Sequence, residues 1–151
     1  MDDPSPTWSR PALRLLVPIT GVALLVQYVA GLWTNIYGPA AGFSANTSYP
    51  PYLVHYYVGV TLGLLSIVLL LVAVSHRRTA YALLSVVLLL SVLAAALLGQ
   101  AFVGSTPNDP ADSVAMGCAF LVAFASILCF GFLVFGAELA PRMGMSPPTP
   151  E

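Results

Sequence analysis

The sequence predicts an all-α integral membrane protein, a four-helix bundle running up-down-up-down with both termini on one side. Three observations carry this reading. The 151-residue chain is 58% hydrophobic and 7% charged, where soluble domains carry about a quarter charged residues. Its apolar residues form four runs of the roughly 20 residues needed to cross the hydrocarbon core of a bilayer. The basic residues are five arginines, without a lysine, and all of them fall on one side of those runs.

Each element has its own signals. Residues 1–9 are polar and proline-rich and are expected to form a disordered tail, followed by a transmembrane domain over 10–142. The first span covers about 15–37, too long for the apolar core of a signal peptide. It ends in Trp33 and Tyr37, aromatics that favour a membrane interface. Pro18 should bend this helix or mark its start. Tyr49-Pro50-Pro51 then opens the second span, about 52–74, because proline suits a first helical turn. The third span covers about 80–103. Asn108-Asp109-Pro110-Ala111-Asp112 supplies an N-cap, a proline at the first helical position and an acid in the first turn, opening the fourth span at about 111–139. Residues 143–151 make a second expected disordered tail.

Orientation follows from the arginines. Arg10 and Arg14 precede the first span, Arg77 and Arg78 join the second to the third, and Arg142 follows the fourth. Loops 38–51 and 104–110 hold no basic residue. The positive-inside rule therefore places both termini in the cytoplasm of a multi-pass cell-membrane protein. Asn46-Thr47-Ser48, on the outer side, matches the acceptor pattern for N-glycosylation. A net charge of −1 offers nothing to nucleic acid, and the bilayer is the first partner. Cys118 and Cys129 are about 16 Å apart along one helix, too far for a disulfide within the chain.

Polar side chains inside a bilayer mark packing contacts or a site, and here they gather in the outer half. Gln27, Thr34 and Asn35 lie on the first span, His55 on the second, Gln100 on the third, and Asp112, Ser113 and Met116 on the fourth. His55 and Met116 lie about four and about six residues past the starts of their helices, which run the same way, and so share one layer. Below His55 the same face continues through Gly59, Leu62, Gly63 and Ser66, and below Met116 come Ala119 and Ala123. Such small residues admit a neighbouring helix or leave room for a flat macrocycle, and the pattern does not separate the two. His55 equally suits an interhelical hydrogen bond, Met116 ordinary packing, and Gln27 and Gln100 a bond between helices. Asp112 reads as a capping charge, Glu138 as a solvated exit residue, and His76 as a solvated turn residue beside Arg77 and Arg78.

Gly31-Leu-Trp-Thr-Asn, Leu53-Val-His55-Tyr, Leu98-Gly-Gln-Ala-Phe-Val and Ser113-Val-Ala-Met116 together resemble one four-helix half of a haem A synthase. More loosely, they resemble other small membrane b-type cytochromes. The resemblance implies a haem b held by histidines at the outer ends of the second and fourth helices. His55 matches the first, and Met116 stands where the second would be. Methionine opposite histidine raises a haem's reduction potential. The family's acidic catalytic residue has no counterpart here, so no enzymatic activity is carried over.

Three functions follow as expectations. One is a membrane electron-transfer protein whose haem b is ligated by His55 and Met116, with Gly59, Gly63, Gln27 and Gln100 around it. Another is a structural or assembly subunit of a larger membrane complex of respiratory type, meeting neighbours through the Gly59/Gly63 or Ala119/Ala123 faces. The third is a quinone or lipid pocket lined by Gln27, Trp33, His55 and Gln100. The absence of basic residues from the outer side leaves haem propionates without a cation, which weighs against the first.

Overall fold

The computed structural model describes residues 6–37, 49–104 and 110–139, without the side chains of 103, 104, 110 and 137–139. Asn46, Asp109, Arg142 and segments 1–5 and 143–151 lie outside the described residues, as does the side chain of Glu138. Four helices follow in order: α1, Ser9–Tyr37; α2, Pro50–Ser75; α3, Thr79–Gly104; and α4, Pro110–Leu139. Each is long and apolar enough to cross a membrane, as suits a multi-pass membrane protein. Helices α2 and α4 start on the prolines read as first-turn residues, whose missing N–H falls where a helix has no use for one.

Helix α1 begins earlier than expected. Ser9, placed in the N-terminal tail by its polar neighbours, is fully buried and helical. Its Oγ donates to Pro6 O at 2.7 Å and lies 2.8 Å from His76 Nδ1. Pro18 lies inside the helix rather than at its start.

A narrow core runs the length of the bundle. It contains Leu13, Val17 and Leu24 of α1, Leu62 and Leu69 of α2, Leu88 of α3, and Ile127 and Phe130 of α4. These recur every three, four or seven residues, which places them on one helix face. Large apolar residues also cover the outside, among them Leu15, Leu71, Leu97, Leu121 and Phe132. Helices apolar all round belong in a bilayer, where that surface meets acyl chains. The buried Ser66, Ser85 and Ser126 donate to the carbonyls of Leu62, Tyr81 and Val122 in their own helices. No partner helix is needed to satisfy those hydroxyls.

Helix α3 packs most extensively on α4, and α1 on α2; α2 against α3 follows, and the α1–α4 seam is the thinnest. Diagonal pairs touch at most marginally. Residues 76–78 turn α2 into α3, and Arg77 adopts a left-handed conformation with φ of 59°. His76, expected in water, is 2% exposed because its ring is covered by α1 and stacks on Tyr81 at 5.1 Å. Tyr81 in turn stacks on Phe130 at 5.2 Å and donates its hydroxyl to Leu133 O at 3.3 Å.

Candidate functional site

Two of the polar residues within the spans, Gln27 and His55, meet at the α1–α2 interface toward the end opposite the arginines. Gln27 and Gly31 are one turn apart on α1, and His55 and Gly59 are one turn apart on α2, so each pair shares a face. The two pairs interlock in reverse order. A Cβ at Gly31 would lie 2.9 Å from His55 Cε1, and one at Gly59 would lie 3.2 Å from Gln27 Nε2. Each glycine is thus the seat of the other helix's polar side chain. Only a residue without a Cβ leaves that clearance.

Hydrogen bonding closes the clamp. His55 Nδ1 lies 3.3 Å from Gln27 O, and Gln27 Nε2 lies 3.4 Å from His55 Nε2. One tautomer satisfies both contacts: Nδ1–H donates to the backbone carbonyl, and bare Nε2 accepts from the amide. Gln27 Oε1 is buried and accepts no hydrogen bond. At the same end Asn35 Nδ2 donates to Ser113 Oγ at 3.2 Å, joining α1 to α4. Trp33 Nε1 donates to Tyr49 OH at 3.0 Å.

Of the six residues expected around a cofactor, Gln27, His55 and Gly59 come together. Met116 packs elsewhere: its Sδ would lie 3.5 Å from a Cβ on Gly99, across the α3–α4 interface. Gln100 is exposed. A Cβ on Gly63 would meet nothing within 4 Å. Of the Gly59/Gly63 and Ala119/Ala123 faces expected to meet other subunits, Gly59 packs against Gln27 and Ala123 lies in the core of this chain.

This arrangement does not fit a haem. The Nε2 lone pair that would ligate iron is covered by the Gln27 amide. The orphaned Gln27 Oε1 calls for a hydrogen-bond donor, which the apolar face of a porphyrin does not offer. The described arginines all lie at the other end of the helices, away from where propionates would sit. Among the described residues no group of three or more His, Cys, Asp or Glu side chains is placed to hold a metal ion.

A groove of about 500 Å³ lies between α1 and α2, lined by Val26, Val29, Ala30, Trp33, Pro51 and Val54 among others. It is apolar. Of the residues expected to form a quinone or lipid pocket, Trp33 lines it, while Gln27, His55 and Gln100 do not. Gly31 is the site residue that sequence reasoning left without a role. Its signal was the four-residue spacing from Gln27, repeated between His55 and Gly59.

Comparison with protein-family models, with curated proteins and with solved structures returns no match.

Proposed function

We propose that this chain is a structural or assembly subunit of a larger complex in the cell membrane. The observation that favours this reading over a cofactor protein is the Gln27–Gly31/His55–Gly59 clamp, in which the polar groups expected to bind a cofactor hold two helices of this chain together. Interhelical polar contacts of this kind are the glue of membrane bundles. The chain crosses up-down-up-down, supported by contacts that join helix starts to helix ends: Ser9 with His76, Tyr81 with Leu133, Asn35 with Ser113. Both termini lie in the cytoplasm by the distribution of arginines.

Partner helices dock on the outer face of α4, where Gly117, Cys118, Ala125 and Cys129 are exposed. Small residues turned outward let a neighbouring backbone approach closely. Solubilisation in a mild detergent followed by native mass spectrometry tests this. The wild type should run in an assembly larger than one chain, and Ala125→Leu should release a folded monomer with unchanged thermal melting. A wild type that is monomeric throughout refutes the proposal. The competing b-type cytochrome, with His55 and Met116 as axial ligands, requires Gln27 to leave His55 Nε2. Protein purified from haem-supplied cells would then show a reduced α-band with dithionite that His55→Ala abolishes.

A further inference from the structure

At the arginine end, a second cavity of about 220 Å³ opens where α1, α4 and the start of α3 meet. Arg10 and Arg14 line it from α1, and Arg78 lines it from the α2–α3 turn. Leu13 and Tyr81, both buried, close it on the inside, with Leu133 and Val134 on the α4 side. The described lining therefore carries three guanidinium groups and no acid. Arg78 is held over the Tyr81 ring at 5.8 Å, and that ring also stacks with His76 and with Phe130. Arg14 and Arg78 already make contacts within the chain. A guanidinium has five N–H donors, so such a contact leaves others to serve an anion.

We propose that this cavity binds the phosphate of an anionic phospholipid headgroup. Its chemistry is that of a phosphate site, because arginine forks match phosphate oxygens in pairs. Its depth favours a lipid over a free ion. Helix α1 has 29 residues and is about 43 Å long, the full thickness of a bilayer with its headgroups. Arg10 and Arg14, in its first two turns, then lie at headgroup level. The volume equals that of about seven waters. That admits a phosphate and part of its polar substituent, while the acyl chains lie along the apolar outside of α1 and α4. Basic pockets between membrane helices are a known form of headgroup site. The inference is independent of the proposed subunit role.

The test uses the full-length protein in nanodiscs. Phosphatidylglycerol is titrated into phosphatidylcholine discs, bound lipid is counted by native mass spectrometry, and melting is followed in parallel. Phosphatidylglycerol should be retained and raise the melting temperature, while inorganic phosphate added to phosphatidylcholine discs should do neither. Arg10→Gln, Arg14→Gln and Arg78→Gln should each weaken retention about fivefold, the worth of one basic residue against an anionic lipid. All three arginines are exposed, so their substitution carries little risk to the fold. Arg77→Asn is the control. It removes an arginine from the same turn that does not line the cavity, with a residue tolerant of positive φ. Equal weakening by Arg77→Asn would reduce the effect to general surface charge and overturn the site. Equal stabilisation by inorganic phosphate would overturn the lipid assignment, and retention of phosphatidylcholine as strong as that of phosphatidylglycerol would overturn both.

Discussion

Replacing His76 with alanine should be among the most destabilising single changes outside the apolar core. The imidazole is 2% exposed and lies 2.8 Å from Ser9 Oγ. That hydroxyl has one proton, directed to Pro6 O, so His76 Nδ1–H is the donor and Ser9 the acceptor. Alanine removes this bond, worth about 1 kcal/mol, and the stack on Tyr81, worth about 1 kcal/mol. It also leaves a void where a ring was packed. Truncating a buried aromatic ring to alanine costs about 3–5 kcal/mol in total, and the smaller imidazole belongs near the lower end, at about 3 kcal/mol. His76→Phe keeps the ring and the stack, loses the hydrogen bond, and should cost about 1 kcal/mol. Melting in a single detergent or lipid mixture separates the two variants. At about 2–4 °C per kcal/mol for a chain of this size, alanine should lower the midpoint by about 6–12 °C and phenylalanine by about a third of that. Both variants within about 0.5 kcal/mol of wild type, the range of neutral surface changes, would refute the buried stack and return His76 to water.

Two further perturbations separate features that look alike in the sequence. Gly59→Leu forces a side chain into the seat of the Gln27 amide, 3.2 Å from a Cβ there, and should cost about 1–3 kcal/mol by overpacking. Gly63→Leu enters open space and should leave thermal melting unchanged; equal effects in the two variants would mean the clamp is misplaced. For orientation, a cysteine at Ala45 should react with an impermeant maleimide added outside intact cells, and one at Thr79 should not. The reverse labelling would invert the assigned topology.

The four spans were legible because each is a long run whose ends carry prolines, aromatics or arginines, signals that survive without knowing any contact. The clamp was half legible. Gln27, His55 and Gly59 stood out as a polar pair and a small residue in apolar surroundings, and an interhelical bond was one of their readings. Their mutual arrangement was not, because helical spacing fixes which residues share a face and leaves open which neighbour that face meets. Met116 shows the difference. Its depth matches that of His55, yet α2 and α4 are diagonal in the bundle, and each residue packs on its adjacent helix. His76 was misplaced for a related reason. Next to two arginines it reads as a turn in water, and only the early start of α1, which places Ser9 over the ring, buries it. A nine-residue polar stretch gave no hint that its last residue would cap a histidine on another helix.

Taken together, these contacts divide the bundle into two tied pairs. Helices α1 and α2 are joined at one end by Gln27 and His55 and at the other by Ser9 and His76. Helices α3 and α4 share the most extensive interface, with Tyr81 bonded to Leu133 and Met116 seated on Gly99. The pairs meet along α2–α3, where a three-residue turn keeps them close, and along the thin α1–α4 seam. That seam is tied at the end opposite the arginines by Asn35 and Ser113 and midway by the Tyr28–Phe120 stack at 5.3 Å. At the arginine end it widens into the cationic cavity, lined by two arginines from one pair and the tyrosine of the other. Three guanidinium groups around one small volume repel one another, although solvent screens the repulsion because all three are exposed. In the proposed lipid-bound state an anion seated there would offset that repulsion and bridge Arg10 and Arg14 of α1 with Arg78 beside α3, adding to the His76–Tyr81 stack that already joins the pairs at this end. The proposed headgroup acts as a further tie of the bundle, stabilising it by mass action as any ligand specific for the folded form does.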